Sequence, residues 1–320
     1  MRHRTLAGGG WVPERHDPRD LTADHPRIRR LLARGARRGP ARRPRLPRSV
    51  DLRKWCGAIH FQGGFPTCNA HAVSALVEYF ERRAFGESVE PSVRFLYRVA
   101  ENLVQATEDG PVYIRQVMGA LKLVGVPPAK FWPYPQVKKA KQGRYPTDDP
   151  ALHQEPTAFC YAVAADYRSV TYYRLDARTP AGALRTAPAR LLSQVKRHLA
   201  TGIPTAFGFP LFAQAVTQSW KGTPGLIPFP GAQDTEVGGH AVVAVGYDDG
   251  KRVRNLSTGA ATTGALLLQN SWGVEWGDQG FGWLPFEYLL QDRARDFWTL
   301  TRAEWIDTGQ FQLGLVARGR

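Results

Sequence analysis

The chain has 320 residues, of which 43% are hydrophobic and 11% aromatic, enough for one large domain or two lobes each with its own core. No run approaches the roughly 18 consecutive apolar residues of a membrane span, and the first ten residues lack the apolar centre of a secretory signal, so a soluble, cytoplasmic protein is expected. The net charge of +15 is uneven: residues 1–50 hold fourteen arginines against Glu14, Asp17, Asp20 and Asp24, and carry +10 of it.

Residues 1–48 read as an Arg/Pro-rich leader or strap. Trp11, Pro13 and the run Asp17-Pro18-Arg19-Asp20 predict an ordered strap packed on the body. Residues 27–48 are dense in arginine, with Arg-Arg pairs at 29–30, 37–38 and 42–43. A nucleic-acid arm is one reading of them, but without interleaved aromatics they read as a solvated, partly disordered leader, and nucleic acid is not an expected partner. Three cysteines are too few for a disulfide framework, and the odd count leaves at least one thiol free, which suits a reducing compartment or a catalytic thiol.

The segment Gln62-Gly63-Gly64-Phe65-Pro66-Thr67-Cys68 comes next. Ala72, Ala75, Leu76, Tyr79 and Phe80 then recur at i, i+3, i+4, i+7 and i+8, which predicts a helix with Thr67 as its N-cap and Cys68 at its first turn. Unpaired N–H groups and the positive end of the helix dipole favour a thiolate there, and an adjacent imidazolium would favour it further. Cys56 and Cys160 have no dithiol spacing and read as buried structural thiols. His71 follows Cys68 on the same helix, but no second Cys/His cluster and no His-Glu-x-x-His completes a metal site.

Asp109-Gly110 precedes a helical run over Ile114–Val124 and reads as a helix-preceding turn. Residues 191–200 predict an amphipathic helix with His198 on its surface or at its cap, and 203–209 a strand. The run 240–247 is short, β-branched and apolar, as a strand buried on both faces should be; 265–270 reads as its antiparallel partner, with 248–264 an exposed loop between them. Such a hairpin sets the first residue of one strand against the last of the other, so His240 meets Asn270. An asparagine oxygen that accepts an imidazole N–H fixes the tautomer and leaves the second nitrogen for a nucleophile.

The order Gln62, Cys68, His240, Asn270, with Gln six residues before Cys and Ser271-Trp272-Gly273 after Asn, resembles the papain-like cysteine peptidases over about residues 49–290. Val50-Asp51-Leu52-Arg53, Phe131-Trp132-Pro133-Tyr134 and Trp283-Leu284-Pro285-Phe286 extend the resemblance. Gly10-Trp11-Val12-Pro13, Ser92-Val93-Arg94-Phe95-Leu96-Tyr97 and Gly238-Gly239-His240 make it most similar to bacterial members.

The resemblance implies an α+β, papain-like two-lobed fold: a helical lobe at 49–165 with Cys68, an antiparallel β-rich lobe at 166–290 with His240 and Asn270, the active site between them, and a tail at 291–320 docked on the body. It also implies a cysteine-type peptidase with a peptide or protein substrate and no metal or organic cofactor. Cys68 would attack, His240 act as base and then acid, Asn270 orient the imidazole, and Gln62 donate to the oxyanion. Gly64 and Gly110 would pair with substrate backbone, and Trp272 would cover the His240–Asn270 bond.

Three departures stand out. Phe65 occupies the usual position of a disulfide cysteine, Asn69 that of a tryptophan after the nucleophile, and the Cys68–His240 interval exceeds the roughly 130–150 residues typical of the family, which places insertions near 138–156 and 179–188. An acyl-transfer or leader-processing enzyme using the same residues, and a non-catalytic peptide- or nucleic-acid-binding protein, are the alternative readings.

Overall fold

The computed structural model describes residues 9–36, 45–103, 112–138, 145–311 and 313. Chain order gives α1 (Pro26–Ala36), β1 (Ser49–Asp51), α2 (Cys68–Phe85), α3 (Val93–Leu103), α4 (Ile114–Val124), α5 (Ala158–Ala162), β2 (Thr171–Arg174), α6 (Pro188–Thr201), β3 (Thr205–Phe212) and α7 (Ala213–Thr217). There follow β4 (Glu236–Arg254), β5 (Ala261–Gln269), β6 (Phe281–Pro285), α8 (Glu287–Leu290), β7 (Arg295–Thr301) and α9 (Ala303–Asp307). Helices α2, α3 and α4 pack on one another, and α2 also packs on β4, β3 and β7. The architecture is α+β and two-lobed, with a helical region set against an antiparallel sheet.

The strands run β2-β7-β3-β4-β5-β6 across that sheet, with β1 added to β4. β4 is long because it pairs with β5 along one side and, on the other, first with β3 up to Ala244 and then with β1 over Gly246–Asp248, and bulges let its two halves turn to meet them. The apolar run expected as a strand is its buried centre. The loop expected at 248–264 is mostly strand: the hairpin continues to Arg254↔Ala261, and the turn is closed by Asn255, whose Oδ1 accepts from the backbone N–H groups of Ser257 and Thr258.

Several local expectations are corrected by packing. Helix α2 begins at Cys68, but Thr67 does not cap it: its hydroxyl pairs instead with the Tyr134 hydroxyl at 2.6 Å. The helix ends at Gly86, whose φ of 89° is the left-handed conformation glycine adopts without a Cβ penalty. His198 is buried rather than superficial, lying against the Tyr173 ring with Nδ1 on the Gln194 carbonyl, and burial lowers its pKa to about 4. Residues 26–36 of the expected solvated leader form α1, because Ile28 and Leu32 bury one helical stripe while α1 packs against α9 and its arginines face outward. Residues 291–320, read as a docked tail, contain β7, which sits inside the sheet between β2 and β3.

Candidate active site

Cys68 stands at the first turn of α2, where the loop of Gly63 (φ 67°), Gly64 and Pro66 delivers the chain to the helix. The residue is wholly buried. Burial pushes its thiol up to about 11, while the N–H groups of Ala241, Gly10, Asn69 and Cys68 itself pull the other way. The thiolate expected at a helix start is therefore not the favoured form in this conformation: desolvation exceeds the effect of the helix donors.

His240 and Asn270 meet, although not as directly opposed residues. The ladder pairs Val243 with Gln269, and Phe209 of β3 lies opposite His240. His240 thus sits three residues before the paired Val243 and Asn270 one after Gln269, and their side chains close the gap, with Nε2 at 2.7 Å from Oδ1. The same Oδ1 accepts from the Ser271 N–H at 2.8 Å, which holds the amide oxygen toward the histidine. Trp272 stacks on the imidazole at 4.7 Å and 24°, meets Trp276 edge-on and is itself overlaid by Trp220. Its indole thus lies over one face of the imidazole.

Gln62 joins the front and back halves of the chain. Its backbone N–H donates to the Ser271 carbonyl at 2.9 Å, its side-chain nitrogen donates to the Phe65 carbonyl at 2.8 Å, and its side-chain oxygen accepts from the Ser271 hydroxyl. Ser271 was not singled out from the sequence, yet it orients both Asn270 and Gln62. The departure at Asn69 also has a role: its amide donates to the Val112 carbonyl and ties α2 to the approach of α4.

The remaining candidates are placed as follows. Gly64 is buried, and a Cβ on it would meet the Pro146 carbonyl oxygen at 2.3 Å, so the chain's own segment lies over it. Gly110 falls outside the described residues. Cys56 and Cys160 are buried and free, and burial pushes the Cys56 thiol up. Among the described residues no group of three or more His, Cys, Asp or Glu could hold a metal ion, and no helix is long and apolar enough to cross a membrane.

The N-terminal strap completes the site in a way the sequence did not disclose. The Gly10 N–H donates to the Gly239 carbonyl at 2.9 Å, and a Cβ on Gly10 would strike the Pro66 backbone at 2.5 Å, so only glycine passes between Pro66 and β4. Trp11 fills a slot left by Gly208 and Gly239 and donates its indole N–H to Asp296 at 3.1 Å. Beyond it the side chain of Glu14 is fully enclosed and accepts from the Trp298 indole and the Arg115 N–H. Arg174 lies at 3.0 Å from both Asp20 and Asp296 and at 3.2 Å from Asp176. Glycines before Trp11 and the spaced acids Glu14, Asp17 and Asp20 are the signals that mark a strap built to dock.

Comparison with known proteins extends the resemblance. The model of the papain family cysteine proteases matches residues 194–287, the segment that holds His240 and Asn270. An uncharacterized peptidase C1-like protein of Acanthamoeba polyphaga mimivirus is 27% identical over 244 residues, 75% of this chain and 68% of that one. Xylellain, a cysteine protease from Xylella fastidiosa, superposes with a TM-score of 0.69 at 28% identity, covering 94% of this chain and 98% of its own. The procathepsin B S9 of Trypanosoma congolense, at 14% identity and a TM-score of 0.55 over 94% and 86% of the two chains, shares the fold. With these matches beside the two-lobed architecture, the chain is identified as a papain-like cysteine peptidase.

Proposed function

We propose that Cys68 is the nucleophile of this peptidase, His240 its base and acid, Asn270 the residue that orients His240, and Gln62 an oxyanion donor beside the Cys68 N–H. The observation that carries this is the 2.7 Å bond from His240 to Asn270 on the strand against which the start of α2 packs. His240 takes the thiol proton as the sulfur bonds to the substrate carbonyl carbon, and the carbonyl electron pair moves onto an oxygen held by Gln62 and the backbone N–H. Collapse expels the amine, which takes the proton from His240, and leaves a thioester. Water, deprotonated by His240, attacks that thioester, and the thiol leaves with the proton regained. Trp272 belongs to the wall beside the leaving group in this reading.

Residues 9–13 lie where the substrate must pass, so catalysis requires their displacement. With the strap moved, water and the helix donors reach Cys68 and its pKa falls toward the range in which an ion pair with His240 forms. The test measures peptide hydrolysis and labelling by an epoxysuccinyl thiol reagent, in the native chain and in a Trp11→Ala background that loosens the strap. Cys68→Ala should abolish both activities in both backgrounds, whereas Cys56→Ala and Cys160→Ala should not. Hydrolysis or labelling that persists in Cys68→Ala overturns the assignment.

A further inference from the structure

Behind the His240–Asn270 pair lies a cavity of about 20 Å³ between α2 and the β4–β5 hairpin, lined by His60, His71, Glu78, Gln269, Asn270 and Ser271 together with small apolar groups. That volume is the size of a single water site. Its walls are unusual for so small a space. Both ring nitrogens of His71, Nδ2 of Asn270, Oε1 of Gln269 and Oε2 of Glu78 are buried atoms without a hydrogen-bond partner. His71, Asn270, Gln269 and Glu78 are each at most 5% exposed. Each such orphan is costly to bury, and native proteins keep few of them. Five of them on the residues that line one cavity mark a polar site rather than a dry void.

We propose that this cavity binds one ordered water that bridges His71 to the Asn270 amide, which makes His71 a positioning residue for the His240–Asn270 pair. Asn270 offers its Oδ1 to His240 and to the Ser271 N–H, so its nitrogen has no acceptor except across the cavity. A water there accepts from Asn270 Nδ2 and donates to the Gln269 oxygen and to one imidazole nitrogen of His71. Burial and the nearby His60 and His240 hold the His71 pKa well below its ordinary value, so at neutral pH it keeps a nitrogen that accepts. Burial raises the Glu78 carboxyl to about 8, so it is protonated there and supplies the fourth hydrogen bond. The Glu90 carboxylate lies 3.5 Å from His60 Nε2.

The consequence is a fixed amide. Without an acceptor on its nitrogen side Asn270 is held only through its oxygen, by His240 and the Ser271 N–H, and any turn of the amide would set its NH₂ against the His240 N–H that it must accept. His71 acts through Asn270 and touches no reacting atom. The inference rests on the proposed catalytic reading, and the test separates the two. In the full-length chain, His71→Phe and His71→Gln are compared with wild type and with Asn270→Ala for kcat/KM against pH and for Tm.

His71→Phe is expected to lower kcat/KM about tenfold. It should also move the alkaline limb to lower pH, since a loosened Asn270 stabilises the His240 imidazolium less, and it should lower Tm. His71→Gln, which keeps a donor and an acceptor, should restore most of each. A His71→Phe protein with an unchanged pH profile overturns the positioning role, and one with a raised Tm shows a dry cavity whose orphans were relieved. If His71→Phe does not fold, Gln269→Leu must give the same limb shift, or the inference fails. A rate untouched by Asn270→Ala would instead overturn the catalytic reading.

Discussion

Two buried polar clusters lie in this molecule, one beneath the N-terminal strap and one around the cysteine, and they are built in opposite ways. Under the strap, Glu14, Asp20, Asp176 and Asp296 face Arg115, Arg174 and Arg178, with indole and backbone donors taking up the remaining oxygens. Around the cysteine the groups are neutral and under-satisfied: a protonated thiol, an uncharged His71 and an Asn270 amide with one side unmatched. A cluster in which every acid, ionised or protonated like Glu14, has its partners has one favourable arrangement and fixes the chain in place. A cluster with open hydrogen-bonding capacity is held by its surroundings and remains available for proton transfer. The strap links the two, since Gly10 touches the thiol region while Glu14 is anchored in the ionic cluster.

The sharpest break of this comparison is Arg174→Met. It leaves four acids with only Arg115 and Arg178, and a loss of about 3–5 kcal/mol in unfolding free energy by denaturant titration is expected. A loss under about 1 kcal/mol would mean that the cluster is solvated and does not anchor the strap. Next in size is Asn270→Ala in the Trp11→Ala background, which should lower kcat/KM about 100-fold while the thermal midpoint stays near its parent's. An equal fall in stability would turn a catalytic effect into a structural one.

A smaller effect concerns pH. Burial raises the Glu14 carboxyl to about 8 and Asp296 to about 6 against the pull of the arginines, whereas a released strap returns Glu14 to the ordinary carboxylate range. A carboxyl with a raised docked-state pKa contributes to docking fully below its free value, and that contribution is lost as pH rises through the docked value. Amide exchange at residues 9–14, corrected for its intrinsic pH dependence, should therefore report a strap that opens more readily from pH 5 to 8. Glu14→Gln should flatten that dependence, and an unaltered slope in the variant would remove Glu14 as its source. The smallest effect is at the surface: Asp278→Ala breaks the 2.6 Å pair with Arg53, and because both partners are well exposed the stability change should stay below about 1 kcal/mol.

Particular residues show how far the chain could be read in advance. Ile114–Val124 was legible as a helix to the residue, because a 3.6-residue apolar period is a local property. The start of α2 at Cys68 was legible from the Gly-Gly-Phe-Pro loop, but the use of Thr67 was not, since Tyr134 lies far along the chain. His198 was misplaced although it continues the buried stripe of Leu191, Val195 and Leu199, since an imidazole suits a surface or a core equally and only the packing against Tyr173 shows which. Ser271 carried no local signal for its two hydrogen bonds, and the roles of Gly10 and His71 depend on what each faces.

The sequence by itself determined the helix that presents Cys68 and the two strands whose ends bring forward His240 and Asn270, because periodicity, turn residues and short apolar runs are short-range physics; the fold class followed from the resemblance that its motifs carry. Only the tertiary structure decided that the strap enters the cleft, that the thiol is protonated beneath it, that β7 lies within the sheet, and that the amide of Asn270 backs onto a polar cavity. Those features depend on desolvation and on hydrogen-bond partners from distant parts of the chain, and neither is encoded in the spacing of neighbouring residues.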